Sequence, residues 1–155
     1  MKQIFQQLKL TEQYPEMVVC YTASSFIDDS GEPYGYVMPA LEKITYEALL
    51  RKNLMSCSSV MVRASVMKNI KMPGDKIHED YFVWLTILRK YNVAYGINEP
   101  LLIYRLCKNS KSSNRVRSAK MLFLTYRKVG YGFINSFIIL IYLMLFYQNN
   151  HSLNL

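Results

Sequence analysis

Beyond Glu99 this 155-residue chain contains no aspartate or glutamate. Residues 1–100 carry 11 basic and 11 acidic side chains, which cancel, so the whole net charge of +8 lies on the eight basic residues of 101–155. A segment of that kind is either a solvated basic face or a match for phosphate, whether in lipid headgroups, nucleic acid or a nucleoside diphosphate. Histidine is scarce, with only His78 and His151, which argues against a histidine-based metal centre. The three cysteines, Cys20, Cys57 and Cys107, are far apart. They show neither a zinc spacing nor a disulfide framework, and they fit a reducing cytosol. No G-x-G-x-x-G and no Walker sequence is present, so no glycine-rich phosphate cradle is encoded here. The first residues lack the apolar core of a secretory signal.

What is there alternates short apolar runs with helical stretches, which implies an α/β domain or part of one. Residues 1–12 suit a polar helix. Val18–Thr22 reads as a buried strand. Asp28-Asp29-Ser30-Gly31 is a hairpin turn between Phe26-Ile27 and Tyr36-Val37-Met38. Thr45 is placed to cap a helix over Tyr46–Lys52. A strand is expected over Ser58–Arg63 and one helical turn over Ser65–Lys68. Glu79–Tyr91 is the clearest helix, free of Gly and Pro, closed by Arg89-Lys90 and followed by Asn92 as a left-handed cap. Its first two turns are apolar all round, which predicts burial on both sides. Val93–Ile97 and Leu101–Leu106 read as two strands joined through Asn98-Glu99-Pro100. After a polar loop, Arg115–Val129 is a basic amphipathic helix, broken by Gly130 and Gly132. The strands are few for a complete doubly wound sheet.

The chemistry concentrates at His78-Glu79-Asp80-Tyr81. A carboxylate at a helix start is held ionised by the helix dipole and by unpaired backbone N–H groups. Asp80 is therefore either an N-cap or a base able to take a proton from a substrate hydroxyl. Glu79 is either an orienting hydrogen-bond partner or a favourable first-turn charge. Trp84, four residues on, shares a helix face with Asp80 and is either a platform for a sugar ring or a core anchor.

The ordered series of short motifs resembles the family 2 glycosyltransferases, inverting enzymes of the A-type nucleotide-sugar fold. The landmarks are Tyr21-Thr22-Ala23, Phe26-Ile27-Asp28 with Gly31, Ile44-Thr45-Tyr46-Glu47, Ser56-Cys57-Ser58-Ser59, Met72-Pro73 and His78-Glu79-Asp80-Tyr81 with Trp84-Leu85. They continue with Ala94-Tyr95-Gly96, Glu99-Pro100-Leu101, Tyr104-Arg105, and Ser110 with Ser112-Ser113-Asn114. The resemblance covers about residues 14–128. It implies an incomplete nucleotide-diphospho-sugar transferase fold, a mixed sheet with flanking helices, followed by a C-terminal apolar helix. Residues 1–114 then form the acceptor-side part of the transferase domain, and 115–155 a basic helix followed by an apolar, membrane-associated one. The family's first strands, nucleotide pocket and Asp-x-Asp metal site have no counterpart here. Asp28-Asp29 lies in a turn without the intervening residue, and Met1 stands just after the place where that motif is expected.

By the same resemblance, Asp80 is the general base and Glu79 its neighbour in the catalytic pair. Trp84, Ser58 and Ser59 lie on the acceptor side, and Arg105, Ser110, Ser112 and Ser113 belong to a loop that folds over the donor diphosphate. The intact enzyme is expected to use a divalent metal, manganese or magnesium, which this chain alone does not bind. It is expected to move sugar from a nucleotide-sugar donor to a glycan acceptor in cell-surface polysaccharide or lipid-linked glycan synthesis. The chain looks truncated, so a separately encoded N-terminal half is an expected partner. The alternative is a non-catalytic remnant or membrane-associated partner-binding module. The run Phe133–Tyr147 is about 15 residues, or roughly 22 Å as a helix against a hydrocarbon core of about 30 Å. That favours a helix lying at an anionic membrane surface on the cytoplasmic side, with a single span or a partner helix as alternatives and no role for nucleic acid.

Overall fold

The computed structural model describes residues 1–107 and 114–151, with side chains through Leu145. The elements run α1 (Lys2–Gln13), β1 (Val19–Ile27), β2 (Pro33–Met38), β3 (Lys43–Thr45), α2 (Tyr46–Arg51), β4 (Val60–Val62), α3 (Ala64–Met67), α4 (Glu79–Tyr91), β5 (Val93–Arg105), α5 (Arg115–Val129) and α6 (Phe133–His151). A 3₁₀ turn over Cys57–Ser59 precedes β4.

The sheet is mixed. β1 and β5 run parallel at its centre, β3 lies antiparallel beyond β5, and the outer edge of β1 is shared by β4 at its start and β2 at its end. β1 is buried on both faces because it separates two apolar layers. Val19, Tyr21 and Ala23 face the main core with α4, whereas Cys20 faces a smaller cluster with Met17 and Tyr95, joined by Leu10 and Tyr14. This is the arrangement of an α/β domain, and it is compatible with a nucleotide-sugar transferase fold.

Several elements match the sequence expectation for the reasons given. Thr45 Oγ1 accepts from Ala48 N at 3.3 Å and caps α2. In the hairpin turn, Asp28 Oδ1 accepts from Ser30 N, Ser30 Oγ and Glu32 N at 2.7–2.9 Å. These donors hold the Asp28 carboxyl below its ordinary range. Gly31 there takes a φ of 95°. α4 buries Tyr81, Val83, Trp84, Leu85, Ile87 and Leu88, and Asn92 ends it with a φ of 67°.

Others differ. The strand expected over Ser58–Arg63 shrinks to three residues, because the preceding serines wind into the 3₁₀ turn. β1 runs five residues past Thr22, since its far end finds partners in both β2 and β5. The two strands expected on either side of Asn98-Glu99-Pro100 are one strand, β5, whose register against β1 shifts between Ile97 and Pro100. A bulge absorbs the proline, which has no N–H to give the ladder.

α1 is inside out. Its inward side carries Gln7, only 2 % exposed, and Leu10 against the smaller cluster, while Ile4, Phe5 and Leu8 face outward. The inward glutamines are satisfied by the 3₁₀ turn: Gln7 Nε2 donates to Ser59 O and Gln3 Nε2 to Ser58 O, both at 2.9 Å. At the other end of the chain, α5 turns at the left-handed Gly130 into α6. The buried Tyr126 of α5 and Leu143 of α6 join the main core. Among the described residues no helix is long and apolar enough to cross a membrane.

Candidate functional site

The start of α4 is fixed from two sides. His78 N donates to Thr125 Oγ1 at 3.1 Å, and the His78 ring contacts Ser118 O and Oγ at 3.3 Å, which ties it to α5. The Tyr81 hydroxyl reaches the carbonyls of Leu49 and Leu50 at 3.0 and 3.2 Å, which ties it to α2. These anchors hold the intervening pair, Glu79 and Asp80, half-buried in the first helical turn.

Asp80 is not the N-cap. That position is His78, whose side chain makes no capping bond. Asp80 sits two residues later, and its Oδ1 accepts from Tyr81 N at 2.7 Å.

Both carboxylates lie within electrostatic reach of Cys57, in the 3₁₀ turn before β4. The Cys57 thiol is pushed above its ordinary value first by desolvation and then by the negative charges of Asp80 and Glu79, in that order. Cys57 and Ser58 are exposed, so this part of the turn is open to solvent. Ser59 is fully buried and its hydroxyl donates to Ser56 O at 2.8 Å. It holds the turn rather than presenting a hydroxyl to a ligand. Ser56 Oγ in turn meets Ser24 Oγ of β1 at 3.4 Å.

The remaining expected residues are placed elsewhere. Trp84 is 4 % exposed and packs in the main core, so its ring is not laid open as a sugar platform. Its Nε1 is buried with no hydrogen-bond partner among the described residues. Arg105 ends β5, where its guanidinium clasps the carbonyls of Asp28 and Asp29 at 3.0 Å each. Ser110, Ser112 and Ser113 lie outside the described residues. The structure thus brings Glu79 and Asp80 together with the Cys57-Ser58 turn, and it spends Trp84, Ser59 and Arg105 on packing and turn geometry.

Sequence reasoning missed Cys57 as a neighbour of the carboxylates, and Gln3 and Gln7 as supports of the turn that carries it. The second omission had a signal: two glutamines four apart share a face on a helix. A groove of ≈ 160 Å³ beside α4 is lined by Arg51, Lys52, His78, Tyr81 and Tyr126 among others, but by neither carboxylate. Asp28 is consumed by its own turn, and among the described residues no group of three His, Cys, Asp or Glu could hold a metal ion.

No family model matches the chain. Curated relatives do, and they are glycosyltransferases. TuaG of Bacillus subtilis, named for teichuronic acid biosynthesis, is 35 % identical over 109 residues, which cover 70 % of this chain and 43 % of TuaG. WfgD of Escherichia coli is named a UDP-Glc:α-D-GlcNAc-diphosphoundecaprenol β-1,3-glucosyltransferase. It is 34 % identical over 84 residues, covering 52 % of this chain and 32 % of WfgD. The chain is related to glycosyltransferases and spans less than half the length of the curated relatives it matches.

Proposed function

We propose that the chain is the acceptor-side portion of an inverting family 2 glycosyltransferase, with Asp80 as its general base. The observation that carries the reading is the half-buried Asp80 in the first turn of α4, beside Glu79 and within electrostatic reach of the exposed Cys57. Its carboxylate takes the proton of an acceptor hydroxyl as that oxygen attacks the anomeric carbon in line with the departing nucleoside diphosphate. Glu79 orients the acceptor, and the exposed Ser58 is assigned to the acceptor side. The names of the relatives support a nucleotide-sugar donor and a saccharide acceptor in polysaccharide or lipid-linked glycan assembly.

A second reading, a non-catalytic partner-binding module, draws on the outward apolar stripe Ile4, Phe5 and Leu8 of α1. One experiment separates the two. Residues 14–128 are exchanged into TuaG in place of the matching segment, and transfer is measured with and without Asp80→Asn. The catalytic reading expects transfer that falls by roughly two to four orders of magnitude in the variant. Equal turnover with and without the substitution removes Asp80 from the mechanism.

A further inference from the structure

α6 is held to the domain by one narrow face. Ser136 is fully buried, Leu143 is 5 % exposed, and Ile139 packs against the main core. The rest of the described helix surface is open and almost entirely apolar. Ile134 is 72 % exposed, and Phe133, Phe137, Ile138, Ile141 and Leu145 stand open beside it. A contiguous patch of this kind on one helix marks a docking face.

The charge around the patch selects its occupant. The neighbouring helix α5 exposes Arg117, Lys120, Arg127 and Lys128. α5 and α6 are locked together at their corner, where the Phe123 and Phe133 rings meet edge to face at 5.3 Å and Arg127 Nη1 donates to Tyr131 O at 2.9 Å. No acid occurs anywhere in residues 101–155. A second copy seated on this face would set two uncompensated positive segments against each other. Nucleic acid would satisfy the cations and leave the apolar face in water. An anionic lipid surface satisfies both, because apolar side chains enter the headgroup–acyl boundary while lysine and arginine meet phosphate.

We infer that α6 docks the protein flat on an anionic membrane surface, its outer face buried in the interface and the cations of α5 against the headgroups. The packing of Ser136, Ile139 and Leu143 keeps the helix axis along the domain surface, which fits peripheral binding rather than crossing. This inference stands whether or not the transferase reading holds, since its readout is lipid binding and not catalysis.

The test is vesicle flotation of the full chain with phosphatidylcholine vesicles and with vesicles also containing phosphatidylglycerol. The expected result is binding to the anionic vesicles that weakens in high salt. Exchanging the exposed Ile134, Ile138 and Ile141 for Gln should lower it by at least about tenfold without shifting the thermal melt. Lys120→Glu with Lys128→Glu should abolish the preference for anionic over neutral vesicles. Three results would overturn the inference: no flotation of the intact chain, undiminished binding by the isoleucine variant, or a dimer in sedimentation velocity that the isoleucine variant dissolves.

Discussion

The buried Gln7 side chain donates to the main-chain carbonyl of Ser59, 52 residues away, at 2.9 Å. Through this bond a helix at the start of the chain supports the turn that carries Cys57, within electrostatic reach of Asp80. Gln7→Ala strips a buried carbonyl of its partner, a loss of about 1–3 kcal/mol. Urea denaturation at neutral pH should show the midpoint falling with little change in slope. An unchanged midpoint would mean that α1 does not hold the turn.

Gly96 sits where β5 passes under the segment before β3. A Cβ there would stand 2.1 Å from Leu41 O, a backbone atom that cannot swing aside. Gly96 N also donates to Glu42 O at 2.9 Å, which holds the two segments together. Gly96→Ala should therefore cost at least about 2 kcal/mol. Thermal melts of Gly96→Ala beside Gly74→Ala make the check, since a Cβ at Gly74 meets nothing within 4 Å. Equal melting temperatures would contradict the close approach.

Trp84 separates packing from chemistry. Trp84→Phe keeps most of the buried ring and removes an N–H that has no partner, so stability should change by less than about 1 kcal/mol. Trp84→Ala empties part of the core and should cost about 3–5 kcal/mol. In the TuaG exchange described above, Trp84→Phe should leave the acceptor KM unchanged. A large KM increase with normal stability would restore the sugar-platform role.

Cys57 reports on the two carboxylates without any need for activity. Desolvation first, and then the negative charges of Asp80 and Glu79, disfavour the thiolate, so its titration lies above that of an ordinary thiol. Alkylation rate against pH, measured in a Cys107→Ser background, should shift to lower pH in Asp80→Asn and by a smaller amount in Glu79→Gln. Cys20 stays silent over this range, because burial pushes its thiol up to about 11. Superimposable profiles in all three proteins would place the carboxylates away from the turn.

Local signals carried much of the fold. The bounds of α4, the Thr45 cap and the Asp28–Gly31 turn follow from residue types acting within a few positions of one another. The acidic pair was legible for the same reason, as a first-turn feature of a strongly patterned helix. What local signals missed depended on distant partners. Pro100 argued for a break, yet β5 stays paired with β1 on both sides of it, and a bulge absorbs the proline. The resemblance places Ser59 on the acceptor side, whereas its contacts with Ser56 and Gln7 make it scaffold.

The sequence by itself determined which segments are helical, where charge is absent and which two carboxylates stand at a helix start, because these depend on spacing along the chain. Only the tertiary structure decided what those groups face. It set Asp80 within electrostatic reach of Cys57, turned Trp84 inward, gave Arg105 to the hairpin carbonyls and pointed the apolar side of α6 outward. Burial and hydrogen-bond partners come from residues tens of positions apart, and no local pattern encodes that pairing.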